Sequence, residues 1–422
     1  MSRAASRPTS RVLSLPLPFL LFVIAAVLRL LCFAAFYMGS VVTGHQGIVD
    51  PFDSVEYDRW AWFAAEYFRA GQWVDLRLQW LEGTTDVGFT YLVALQYTIV
   101  GHHPEVPRVV NCLLAALTAP AAYIAARRAN LGEATAARAG WLVACWPLSI
   151  YWAGLDLLKD PLIWCFVVLG LLALVARTVP GRSVLSTLGV GGAYVTRNYM
   201  GPGLAILLAI GAVVKKDWRG LAGLLAGLVI LQAALVVTGF PGLAAFNVLD
   251  SSGQVAPGNG PASLVCSPAH ALVGGGDCAP PISANPKDLL LRFAIGVPTE
   301  LYGPGLKPLT DLGHPTLDWG MYPGLLAWAA LIPFTALGLW RAVRRRDRTL
   351  WSVAILALGI WAALALIYAG HALRQREMAF PATLIFTAVG LERPLPRRWW
   401  WPVYAAYWVV IVVGLGWEAA LA

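Results

Sequence analysis

The sequence predicts an all-α polytopic membrane protein, with about eleven transmembrane helices and outer loops that carry short interfacial helices. Three observations predict it. Of 422 residues, 58% are hydrophobic and only 13% charged, with mean hydropathy +0.65, whereas a soluble domain needs roughly a quarter of its residues charged. Hydrophobic runs recur along nearly the whole chain. Most of the basic excess falls in short loops between those runs, the pattern that orients helices in a membrane. The net charge of +8 is therefore read as orientation and not as nucleic-acid binding.

Taken in order, Arg3, Arg7 and Arg11 precede the run Leu13–Met38. That run is longer than a signal-peptide core and has no small-residue cleavage site, so it is expected to persist as a span. Further runs lie at 106–126, 135–153, 160–177, 183–196, 200–214, 221–239, 321–340, 349–369, 378–391 and 398–416. Crossing takes about twenty residues, so 183–196 and 200–214 must borrow flanking residues, tilt or break. The run Phe89–Gly101 is shorter still. Leaving it out of the count places the N-terminus, Arg127, Arg128, Arg138, Arg177, Arg182, Lys215, Lys216, Arg219, Arg341, Arg344, Arg345, Arg346, Arg348, Arg393, Arg397 and Arg398 on one side, which the positive-inside rule makes the cytoplasm. Counting it as a span divides them. It is read as a helix dipping into the outer interface.

This topology divides the chain into a transmembrane module at 1–240 with its first outer loop at 39–105, an outer loop at 241–320, and C-terminal transmembrane helices at 321–422. The turns Gly154–Asp160 and His371–Glu377 also fall outside. Loop 241–320 is rich in Gly, Pro and Ser and reads as irregular, a candidate lid. It holds Cys266 and Cys278, a candidate disulfide if the loop meets an oxidising compartment. Cys32, Cys112, Cys145 and Cys165 sit in apolar runs and are expected to be small core residues.

The first loop concentrates carboxylates: Asp50, Asp53, Glu56 and Asp58. Opposite them stand cations on the side where orientation disfavours positive charge, namely Lys159, Arg197, Arg374 and Arg376, each at the mouth of a helix. Guanidinium forks suit phosphate oxygens, and His371 lies close to Arg374 in sequence. Together these groups fit sugar transfer from a lipid-linked phosphosugar. An acid takes the proton of an acceptor hydroxyl attacking the anomeric carbon, and fixed cations stabilise the departing phosphate.

Each residue also has a structural reading. Asp53 can cap a helix starting near Val55, Asp50 can serve a turn before Pro51, and Glu56 and Asp58 can complement a helix dipole. Asp160 precedes Pro161 as an N-cap would, and Arg376 can pair with Glu377. Trp60, Trp62, Trp73 and Trp80 read as an interfacial belt rather than sugar-stacking platforms.

Several segments resemble GT-C glycosyltransferases, in particular the family 39 group that includes protein mannosyltransferases and lipid A aminoarabinose transferases. Asp53-x-x-x-Tyr57-x-x-x-Ala61 and then Gly71 resemble the first-loop signature. Gly88-Phe89-Thr90-Tyr91-Leu92 with Ile99-Val100-Gly101 follows in order, then Arg108, then Ala121-Ala122-Tyr123 with Arg127-Arg128. Pro147–Tyr151, Lys159-Asp160, Gly191–Arg197 and His371–Pro381 complete the set. The resemblance covers 13–240 well and 321–391 loosely. It implies the GT-C fold and inverting transfer from a polyprenyl-phosphate sugar on the periplasmic or extracellular face of a bacterial inner (plasma) membrane. Asp53 maps onto the family's general base. Mannosyltransferases follow that Asp with Glu, where this chain has Ser54, a departure from transfer of mannose to protein.

The expected partners are the polyprenyl-phosphate sugar, membrane lipid and a glycan, lipid or protein acceptor. No cofactor is required by this reading. A divalent metal (Mg or Mn) is permitted by the carboxylates of the first loop, with Asp50, Glu56, Asp58 and Asp160 as candidates for metal or acceptor. Two rival functions are an O-antigen polymerase or ligase, disfavoured by a late loop poor in basic residues, and a lipid-linked glycan transporter or flippase. The latter commonly shows repeats and mid-membrane charges, whereas here charges cluster at helix ends.

Overall fold

The computed structural model describes residues 16–42, 53–76, 87–197, 199–237, 287, 290, 315–368, 375–392, 401–402 and 404–409. Asp50, Trp80, Cys266, Cys278, His371 and Arg374 lie outside the described residues, as do the side chains of Asp53 and Arg376. Every regular element among the described residues is helical. In chain order these are α1 (Leu17–Val42), α2 (Asp53–Arg69), α3 (Gly88–Val100), α4 (Glu105–Ala116), α5 (Thr118–Arg128), α6 (Glu133–Ala144), α7 (Pro147–Leu155), α8 (Asp160–Val175), α9 (Val179–Thr196), α10 (Met200–Lys215), α11 (Trp218–Val237), α12 (Pro315–Arg345), α13 (Arg348–Tyr368) and α14 (Phe380–Glu392). A 3₁₀ turn, Gln375–Ala379, leads into α14.

Among the described residues, four stretches are long and apolar enough to cross a membrane: Leu17–Val42, Glu105–Arg128, Pro323–Arg345 and Arg348–Leu366. Shorter apolar helices fill in between them, α8, α10 and most of α11 among them. The chain is a multi-pass membrane protein. At 13 residues and about 1.5 Å per residue, α3 falls well short of a hydrocarbon core about 30 Å thick.

Two expectations change. The run 135–153 is not one helix: α6 ends at Ala144 and α7 starts at Pro147. Hydropathy does not register the break, but Pro147 has no N–H to return to the carbonyl of Val143. Cys145, expected in the core, is exposed at this interruption. Cys112 is buried, and Cys32 and Cys165 are partly so.

The basic loops predicted on one side are joined by contacts. Arg345 pairs with Glu392 at 2.6 Å, bringing the ends of α12 and α14 together. Arg341 donates to the carbonyls of Val389 and Gly390, each at 3.0 Å, placing a cation where the end of α14 is most negative. Arg182 of α9 pairs with Asp217 ahead of α11, and Lys215 donates to the Leu174 carbonyl at the end of α8.

Without a hydrophobic force between helices in lipid, association relies on close packing at small residues. The contact of α12 with α14 follows this rule in both directions. A Cβ on Gly338 would collide with the Phe386 carbonyl oxygen, and one on Gly390 with that of Phe334. Replacing Gly390 with valine is expected to cost at least about 1–3 kcal/mol, read as a lower thermal midpoint in detergent. An unchanged midpoint would contradict this packing.

Candidate active site

The two first-loop helices form a platform. Along α2 the buried positions are Ser54, Tyr57, Ala61, Ala64 and Ala65, a spacing that lines one helical face. Tyr57 and the three alanines share an apolar cluster with Phe89, Val93, Ala94 and Tyr97 of α3, and with Leu157 and Leu162 beyond. The platform thereby docks on the turn joining α7 to α8. Gly88 makes a second docking point, since a Cβ there would lie 2.6 Å from the Val195 carbonyl oxygen near the end of α9.

Polar contacts lock the platform. Tyr97 donates its hydroxyl to Asp58 Oδ1, and His102 Nε2 lies 3.0 Å from Asp58 Oδ2. Burial first, then the Asp58 carboxylate, raise the Tyr97 phenol well above its ordinary value, so it remains a donor. Arg69, in the last turn of α2, donates to the carbonyls of Tyr97 and Thr98. Glu56 accepts from Trp60 Nε1 at 3.0 Å. Asp58 thus ties α2 to α3 and to His102, whereas the contact of Glu56 stays within α2. Tyr97→Phe is expected to cost roughly 1.5–3 kcal/mol, the range for a hydrogen bond to a charged group, measurable as a fall in thermal midpoint.

The turn beneath the platform is buried from Asp156 to Asp160. One face of α4 holds it: Arg108 Nη2 donates to the Leu155 carbonyl at 2.7 Å, Asn111 Nδ2 to that of Leu158 at 2.7 Å, and Cys112 Sγ to that of Ala153 at 3.3 Å. These positions are spaced i, i+3, i+4, as one helix face requires. The Arg108 guanidinium also lies over the Phe33 ring at 4.8 Å. Asp156 Oδ1 accepts from the N–H of Leu157 at 2.7 Å.

Three of the predicted residues meet at this turn. Helix α8 begins at Asp160 with Lys159 in the capping position, so the capping role expected of Asp160 falls one residue earlier. Asp160 is fully buried, and its Oδ1 lies 3.6 Å from Arg197 Nη2. Lys159 points its Nζ over the Tyr57 ring, 5.7 Å from the centroid. Arg197 follows the last turn of α9 in extended backbone and is itself buried, its guanidinium 5.8 Å from the Tyr199 ring. Asp53 opens α2 one turn ahead of Tyr57, whose ring covers Lys159.

The late predicted segment approaches the same region. Met378 and Ala379 share a buried cluster with Ile163 and Trp164 of α8, so the turn containing Arg376 packs near the start of that helix. Its neighbour Glu377 accepts from Trp146 Nε1 at 2.7 Å. Of the tryptophans, Trp62 stacks on His102 at 4.8 Å and Trp73 on Tyr91 at 4.9 Å, both bracing the platform. Among the described residues no three His, Cys, Asp or Glu side chains are grouped as a metal would need.

No protein-family model matches the chain, and no curated protein matches it. Among solved structures, it is similar to ArnT from Cupriavidus metallidurans in the apo state. The TM-score is 0.54 at 19% identity, covering 90% of this chain and 60% of that one. The same enzyme bound to undecaprenyl phosphate gives a TM-score of 0.53 at 17% identity, covering 94% and 63%. The chain has the GT-C fold. It spans less than two thirds of the length of the structures it matches.

Two buried arginines of this GT-C chain carry more structure than their sequence context suggested. Arg108 was legible only as the start of a span. Arg29, in the middle of α1, was missed. It is fully buried and donates to the carbonyls of Ala144 at 3.1 Å and Val143 at 3.4 Å and to Ser149 Oγ at 2.6 Å. It thus supplies donors where Pro147 withdraws one. A lone arginine inside an apolar span is the signal that could have found it.

Proposed function

We propose that this protein is an inverting glycosyltransferase that moves a sugar from a polyprenyl-phosphate donor to an acceptor on the extracytoplasmic face of a bacterial inner membrane. The observation that carries the reading is the buried cluster of Lys159, Asp160 and Arg197 directly under the start of the acidic first-loop helix. Cations held in a dry site act more strongly on a developing phosphate charge than they would in water. The fold shared with an enzyme that carries undecaprenyl phosphate supports the same donor class.

In this reading the donor phosphate sits on Arg197 and Lys159, with Arg374, Arg376 and His371 as further ligands from the late segment. Asp160 orients the Arg197 fork. The acceptor hydroxyl attacks the anomeric carbon as the bond from that carbon to the phosphate oxygen breaks. Asp53 takes the hydroxyl proton, and polyprenyl phosphate leaves with the bonding electron pair. An apolar cleft of about 230 Å³ supports a place for the isoprenoid tail. It runs between α10 and α13, is lined by Leu204, Leu207, Ile360 and Leu364, and reaches Tyr199 beside Arg197.

The reading is tested with purified protein in detergent and a radiolabelled polyprenyl-phosphate sugar, across candidate glycan, lipid and protein acceptors. A transferase releases polyprenyl phosphate and passes label to one of them. Binding without release across the whole panel would favour a transporter and overturn the proposal. Release coupled only to growth of an existing glycan chain would favour the polymerase or ligase reading.

A further inference from the structure

On the arginine-rich face, the ends of three helices flank an open cleft of about 650 Å³ lined by Thr135, Arg138, Arg341, Arg344, Arg345 and Glu392. That volume falls within the range of small-molecule sites. Orienting a helix needs only positive charge near its end; it does not need four guanidinium groups gathered around one open space.

The charges inside are unevenly committed. Both oxygens of Glu392 are taken, Oε1 by the Thr135 hydroxyl and Oε2 by Arg345 at 2.6 Å. Burial pushes its carboxyl upward, but those two hydrogen bonds together with the charges of Arg345 and Arg341 hold it below the ordinary value, so it stays charged and neutralises one arginine. Arg341 is engaged with the terminal carbonyls of α14, whose partial charge is smaller than a full one. Arg344 lies over the Trp340 ring at 4.7 Å, which leaves its forked N–H groups directed by stacking rather than neutralised. Arg138 is exposed at the rim. Trp340 is more than half exposed, as a side chain at a membrane–water boundary is.

We propose that this cleft is a binding site for an anionic phosphate group at the membrane boundary, of the class carried by acidic phospholipid headgroups. Arg138 and Arg344 supply the fork to the phosphate oxygens, while Arg341 and Arg345 hold the walls. The site is separate from the transfer chemistry, and its test does not depend on that reading.

The experiment uses the full chain in phosphatidylcholine nanodiscs doped with cardiolipin or phosphatidylglycerol, with retained lipid counted by native mass spectrometry. Arg138→Lys/Arg344→Lys keeps the charge, and with it the orientation, but loses the planar fork. The wild type is expected to retain acidic lipid at least about tenfold better than this double variant, since two forked charge-assisted contacts are lost. A second arm adds inorganic phosphate to purely zwitterionic nanodiscs and follows the thermal midpoint. A wild-type stabilisation missing from the variant there would assign the site to soluble phosphate, and its absence alongside selective lipid retention would assign it to lipid. Equal lipid retention together with equal response to phosphate in both proteins would overturn the site. Comparison of midpoints without either ligand checks that the double variant is folded.

Discussion

Replacing Arg197 with alanine is expected to lower transfer on the order of 10²–10³-fold, the range for removing one donor aimed at developing charge. The substitution has a second effect. It removes one side of an ion pair with the fully buried Asp160, and breaking a buried pair is destabilising, so the alanine variant should also melt earlier. Arg197→Lys separates the two consequences. A lysine keeps a positive charge near Asp160 but loses the planar fork, so stability should recover more fully than turnover. Kinetics and thermal midpoints on the same preparations check this. Recovery of both to the same extent would reduce Arg197 to a structural ion-pair partner.

Replacing Arg29 with leucine is expected to be the most destabilising single change outside the site. It removes donors from the carbonyls of Val143 and Ala144 and from Ser149, and each buried acceptor left unsatisfied costs about 1–3 kcal/mol. The Val143 carbonyl keeps the N–H of Trp146 at 3.4 Å, which lessens its share. The expected loss is roughly 3–5 kcal/mol, seen as a large drop in thermal midpoint. Because Trp146 also donates to Glu377, disorder at the break should reach the turn ahead of α14. A midpoint within a degree or two of the wild type would show that the break between α6 and α7 is held by something other than Arg29.

The architecture was largely legible because lipid imposes strong rules on composition. Apolar runs located most of the helices, the short α3 among them. The asymmetry of arginines made Lys159 and Arg197 conspicuous, and both prove to be buried at one turn. What escaped was tertiary. The break at Pro147 is invisible to a hydropathy average, and the pairing of Asp58 with Tyr97 and His102 joins α2 to residues some forty positions later. Arg29 lies in the most apolar part of α1, where its neighbours mask it. Asp156 reads as an ordinary turn residue until Arg108 and Asn111 are seen holding that turn from α4.

Asp53→Asn tests the central claim most directly. The variant is offered saturating polyprenyl-phosphate sugar, with donor binding measured separately from release of polyprenyl phosphate. Donor affinity should remain at the wild-type level, because the cations under α2 are untouched. Release should fall about 10²–10⁴-fold, the usual contribution of a general base. Release at the wild-type rate with binding intact would remove Asp53 from the chemistry and contradict the assignment.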